Sequence, residues 1–128
     1  MPEWIWVSRE AALAAHLEQL AEHGGGEGVR DEGLFESAMA RPQNRAAYEE
    51  PDLAELAANY AFGLARNHPF IDGNKRTALV VSELFLAKNG LRVDSSEAET
   101  LAIFLDLAVG ELSEEDLADC FREQIGPA

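Results

Sequence analysis

Within residues 68–77, which read His-Pro-Phe-Ile-Asp-Gly-Asn-Lys-Arg-Thr, a base, a carboxylate, a glycine turn and two cations lie almost side by side. Histidine titrates near neutrality, so His68 can take a proton from an incoming hydroxyl. Taken alone it is better read as a side chain capping the last carbonyls of the preceding helix, and the residues that follow are what favour the chemical reading. Phe70 reads as a ring that pins a polar loop to the core. Asp72 can hold Mg2+ through one oxygen while the ion keeps its waters and bridges nucleotide phosphates; its plain alternative is a loop aspartate or helix cap. Gly73 and Asn74 make a turn that backbone can approach closely. The amides after it aim at an anion, with Asn74 adding a side-chain donor. Lys75 and Arg76 bring positive charge to phosphate, Arg76 through a planar fork; their plain alternative is a solvated basic turn. Between Arg66 and Arg76 there are three cations and one carboxylate, a net +2 on a chain whose total is −14. A basic island on an acidic protein, beside a histidine and at a helix start, fits a phosphate site.

Other catalytic signatures are missing. The glycine spacing and Lys-Ser/Thr pair of a P-loop are absent, and so is a Gly-x-Ser-x-Gly elbow. His16 and His23 share one helix without a carboxylate-rich metal pattern and read as surface residues.

The elements that must position the loop are helical. Ser8 caps a helix over about residues 9–23, with Leu13, Leu17, Leu20 and Ala21 as its apolar stripe, and Gly24-Gly25-Gly26 stops it. Asp31 caps a second helix with Leu34, Phe35, Ala38 and Met39 facing inward. Pro42 is expected to end it, because proline disfavours helical geometry in the residue before it. A third, central helix runs from Asp52 to about Asn67, and a fourth, apolar on several sides, from Asn74 to about Asn89. Ser96 with Glu99 predicts a helix to about Val109, and Ser113 with Asp116 a last one that includes Leu117, Cys120, Phe121 and Ile125. Trp4 to Val7 reads as a packing strap, and Leu91-Arg92-Val93 as a short extended piece able to pair with it. With no repeat, linker or low-complexity block, residues 1–128 predict a single all-α domain, a compact bundle of about six helices with the motif loop between two central ones.

At 128 residues and 47% hydrophobic composition the chain can bury a core of its own. The acidic balance argues against nucleic acid as a direct partner. One cysteine, Cys120, excludes an internal disulfide and a cysteine-rich zinc site. Neither an export signal nor an apolar run long enough for a bilayer is visible, so a cytoplasmic location is expected and no membrane partner.

The stretch His68-Pro69-Phe70-Ile71-Asp72-Gly73-Asn74-Lys75-Arg76 resembles the core motif of the Fic superfamily, His-Pro-Phe-x-Asp/Glu-Gly-Asn-x-Arg. Lys75 makes it most similar to the death-on-curing (Doc) toxin branch, and residues 29–38 resemble a segment near the start of Doc-like chains. The resemblance implies an all-helical Fic/Doc fold, His68 as general base, Asp72 as Mg2+ ligand, and Gly73, Asn74, Lys75 and Arg76 as nucleotide-phosphate binders. Most Fic enzymes transfer a nucleotide monophosphate and carry glycine where this chain has Lys75. In Doc-like proteins that lysine goes with a reversed nucleotide, whose γ-phosphate faces the base. The implied activity is a Ser/Thr protein kinase using ATP, with elongation factor Tu as target and translation arrest as effect. Gly73 and Pro69 follow the Fic pattern, which keeps nucleotidyl transfer (AMPylation) as the alternative, with a non-catalytic binding module behind it. The inhibitory Ser/Thr-x-x-x-Glu-Gly/Asn helix of many Fic proteins has no match, the nearest stretch being Ser95 to Thr100. Inhibition in trans by a small antitoxin is therefore implied.

Overall fold

The computed structural model describes residues 3–108 and 110–128, including all of their side chains except those of Glu97 and Ala108. The order is α1 (Arg9–His23), α2 (Glu32–Tyr48), α3 (Leu53–Asn67), α4 (Asn74–Lys88), β1 (Leu91–Val93), α5 (Glu97–Ala108), α6 (Glu114–Gln124) and β2 (Ile125–Pro127). The chain is thus all-α in class, with one small antiparallel ribbon. The expected helix end at Val109 lies outside the described residues. No helix among them is long and apolar enough to cross a membrane.

α3 is the axis of the bundle. Asp52 caps it, accepting from the Glu55 amide while the Glu55 side chain accepts from the Asp52 amide. Beyond the cap, Leu56, Tyr60 and Leu64 are fully buried, and alanines and Gly63 fill the positions between them. Those small residues let α2, α4 and α6 close on three sides. At Gly63 a Cβ would lie 3.2 Å from the Ala38 Cα, so the missing side chain is what allows α2 to cross there.

Three sequence expectations fail in instructive ways. Pro42 does not end α2, which continues to Tyr48 with the proline buried inside it. An interior proline costs about 3 kcal/mol. The turns after the proline carry Arg45 to Glu55 of α3, while Arg41, one residue before it, meets Glu114 of α6. The second failure concerns Leu91 to Val93, which pairs with Ile125 to Pro127 rather than with the Trp4 region. Ile125 accordingly opens a strand instead of closing α6. The N-terminal strap is held separately: Asn89 exchanges hydrogen bonds with the backbone of Ile5, Trp6 stacks on Phe85, and the Val7 amide donates to the Tyr60 hydroxyl at 3.0 Å. The buried face of α1 is also rotated from the expected stripe. It consists of Ala12, Ala15 and His16, while Leu17 is exposed.

Two outcomes follow from these contacts. Tyr60→Phe leaves the buried Val7 amide without an acceptor and is expected to lower stability by about 1–3 kcal/mol in urea unfolding. Asp52 is the second test. Burial disfavours its carboxylate, but hydrogen bonds from Arg122 and the Glu55 amide, with the Arg122 charge, outweigh that and hold the carboxyl below its usual range. Stability from a carboxyl depressed on folding is complete above its unfolded pKa and is lost as pH falls through the folded one. Asp52→Asn keeps a cap but not the ion pair, so it is expected to be less stable than the parent at neutral pH. That deficit should shrink as the pH drops below the ordinary carboxylate range, which urea unfolding at stepped pH will show.

Candidate active site

α3 ends on His68, whose backbone is left-handed at φ 49° and ψ 54°. Glycine usually takes this position because a Cβ there costs about 1–2 kcal/mol. His68 is the one non-glycine residue with positive φ among the described residues. The final carbonyls of α3 are not capped by its imidazole. Arg30 does this instead, its Nε and Nη2 donating to the His68 carbonyl at 3.0 and 2.6 Å and Nη2 also to Asn67 at 3.3 Å. The imidazole is left exposed and makes no hydrogen bond among the described residues.

The loop after His68 is held by the connection between α1 and α2, which runs antiparallel beside it. The Pro69 carbonyl accepts from the amides of Arg30 and Asp31, Val29 bridges to Phe70, and the Ile71 amide donates to Gly28. The Gly26 amide donates to Asp72 Oδ2 at 2.6 Å. Gly25 sits at φ 125°, and a Cβ on it would come within 3.0 Å of the Asp72 side chain, so close approach and backbone form both call for glycine there. The sequence showed these glycines only as a helix stop.

Phe70 is buried and anchors the loop. His16 stacks on it with ring centroids 3.9 Å apart and planes 10° from parallel, and Phe35 meets it from the other direction. His16 is therefore not a surface residue. Its Nε2 lies 2.9 Å from the Asp72 carbonyl, which can only accept, so Nε2 carries the proton. The missed signal was its place one turn from Ala12 on a face of small residues.

Asn74 is also turned inward. Its Oδ1 accepts from the Phe70 amide and its Nδ2 donates to the Phe70 carbonyl, at 2.9 and 3.0 Å, and the residue is buried. The side-chain donor expected to face a phosphate thus closes the loop, and the Asn74 amide remains for an anion. Gly73 precedes it in left-handed form at φ 78° and begins α4 without a side-chain cap or a first-turn acid. By contrast α1, α2, α3 and α6 each have a Ser or Asp cap and an acidic first turn. The first turn of α4 holds Lys75, half-buried, and Arg76, exposed. Arg9, Arg41, Arg45 and Arg122 each pair with a carboxylate, whereas Lys75 and Arg76 have no ion pair among the described residues. A recess of about 630 Å³ beside Arg76 continues along Leu79, Val80 and Arg92. An unengaged imidazole thus precedes the buried Phe70 in the chain, and open amides and two unpaired cations follow it.

Residues 6–86 match the sequence profile of the Fic/DOC family. The chain belongs to that family. It is 42% identical over 124 residues to the protein kinase doc of Escherichia phage P1, covering 95% of this chain and 97% of the phage protein. It is 44% identical over 104 residues to a toxin Doc of Mycolicibacterium smegmatis, covering 75% of this chain and 76% of that one. The region matching the Fic/DOC profile contains both the motif loop and the α1–α2 connection that holds it.

Mg2+ fits Asp72. One carboxylate oxygen is oriented by Gly26 and the side chain is exposed, while no group of three potential ligands gathers among the described residues. A single carboxylate with water and phosphate completing the shell suits Mg2+ rather than a metal caged by protein.

Asn74→Ala removes both bonds to Phe70 and is expected to lower stability by about 2 kcal/mol in urea unfolding. An asparagine acting only on phosphate would leave stability unchanged.

Proposed function

We propose that this chain is a toxin-type protein kinase that moves the γ-phosphoryl group of ATP to a serine or threonine hydroxyl of a protein target. The observation carrying the proposal is the pair of unengaged groups on one loop: the free His68 imidazole and the uncapped, cation-bearing start of α4. The relatives named protein kinase doc and toxin Doc support the same reading.

The target hydroxyl oxygen attacks the γ-phosphorus in line, its proton passes to His68, the bond to the bridging oxygen breaks and ADP leaves. Such a transfer needs alignment and neutralised charge more than covalent help. The amides of Asn74, Lys75 and Arg76 receive phosphate oxygens, the Lys75 and Arg76 side chains offset the negative charge, and Asp72 would hold Mg2+, which would supply further positive charge to the phosphates. Lys75 sets the reaction type, because a side chain there obstructs the room that the outer phosphates would need in a nucleotidyl-transferring pose. We place the protein in the cytoplasm, with elongation factor Tu as target and translation arrest as outcome. A small antitoxin acting in trans would silence it.

One observation favours a second reading. Gly73 follows the pattern of nucleotidyl-transferring relatives, so AMPylation from the same loop is the rival. ATP labelled at the γ or the α phosphate, incubated with the protein and a cell extract, separates the two. Protein-bound label from the γ position alone is expected, and its loss in His68→Ala. Label from the α position would move the assignment to AMPylation, and none from either to a binding module. Lys75→Gly is expected to reduce γ-transfer; unchanged transfer would refute the role given to Lys75.

A further inference from the structure

We propose that Arg30 is a positioning residue for His68. It acts by holding the left-handed turn that presents the imidazole, and the inference rests on the reading of His68 as the base. Two observations and one general principle carry it. His68 is the one non-glycine residue with positive φ among the described residues. A strained backbone persists only where its surroundings over-determine it, and such positions gather at functional sites. The over-determining group is Arg30: its guanidinium donates to the Asn67 and His68 carbonyls, and its own amide donates to Pro69 at 2.7 Å. It therefore binds the residues before, at and after the turn.

An ordinary helix end would need none of this. Glycine would enter the left-handed region unaided, and the chain does use glycine at positive φ just after α1, at Gly24, and just before α4, at Gly73. Here a side chain is required at the turn, so the backbone must be locked from outside. The fork of an arginine reaches both carbonyls, which a lysine ammonium cannot do with the same geometry. All the guanidinium contacts are to main chain, so Arg30 specifies where the imidazole points without touching it. The α4 amides, Lys75 and Arg76 lie beyond the separate lock between Phe70 and Asn74. Loss of Arg30 therefore affects the base and leaves nucleotide binding in place.

The test measures steady-state γ-transfer from ATP to elongation factor Tu by the parent, His68→Ala, Arg30→Lys and Arg30→Ala. It also follows the imidazole resonances by NMR without nucleotide. Arg30→Ala is expected to lower kcat by about 10- to 100-fold, as misplacement of a catalytic group does, with KM for ATP within about twofold. Its His68 ring resonances are expected to move toward unfolded values while those of His16 stay, and Arg30→Lys is expected to fall between. If Arg30→Ala does not fold, Arg30→Lys must show the same split of kcat from KM and the same selective shift. Unchanged kcat with unchanged His68 resonances overturns the proposal. So does a raised KM at constant kcat, which would make Arg30 a phosphate ligand. Transfer that survives His68→Ala overturns the base assignment, a failure distinct from that of the lock. If elongation factor Tu accepts nothing from the parent, the acceptor band labelled in cell extract replaces it.

Discussion

The constraint on which the rest of the site depends is the pairing of residues 26–31 with residues 69–72. A loop rich in polar groups would wander unless its backbone were satisfied, and here most of that satisfaction comes from a second loop. Gly26, Gly28, Val29, Arg30 and Asp31 meet the motif residue by residue. Phe70 turns the pairing into a buried contact, with His16 stacked on one side and Phe35 tilted against another. The bundle is organised so that this can happen. α1 supplies His16, α2 supplies Phe35, and the connection between them supplies the backbone partners.

Because the loop is held by other groups, the side chains of His68, Lys75 and Arg76 are free of structural duty. This separation is visible in the charges. Four arginines elsewhere are tied to carboxylates across α1, α2, α3 and α6, contacts individually worth little in water. Lys75 and Arg76 stand outside those pairs, at a helix start whose dipole adds to their potential. On a chain of net charge −14, that makes the start of α4 a place where an anion gains attraction from backbone and side chains together.

Much of the fold could be read in the chain. Ser8, Asp31, Asp52 and Ser113 all cap the helices expected of them, because a short polar side chain before an apolar period has one local geometry to satisfy. What could not be read depended on distant partners. The path of α2 through Pro42, which is buried inside the bundle, belongs to packing between helices, and a local proline rule has no access to that. The strand at Leu91 to Val93 found its partner in the last residues of the chain, where three residues with a glycine give almost no periodic signal. The rotation of α1 hid His16, since alanines mark a face against which another segment sits closely and leucines drew the stripe elsewhere. At the site, residue types announced chemistry but not its division. Asn74 and Lys75 are adjacent, and only the fold separates the side chain turned into the loop from the one left outside.

That division changes how the motif itself should be understood. Its residues fall into a set that fixes the loop and a set that is presented by it, and the two interleave in sequence. Phe70 and Asn74, with His16 and Arg30 from outside, belong to the first; His68, Lys75 and Arg76 belong to the second. Asp72 belongs to both, since Gly26 orients its carboxylate and His16 holds its carbonyl. A side chain in the fixing set has exchanged its hydrogen-bonding capacity for geometry, so its loss perturbs stability and reactivity together. A side chain in the presented set has no partner among the described residues, so its loss leaves the fold alone. His68 shows why both sets are needed at one residue. Its backbone is among the most constrained in the chain, and its imidazole is among the least.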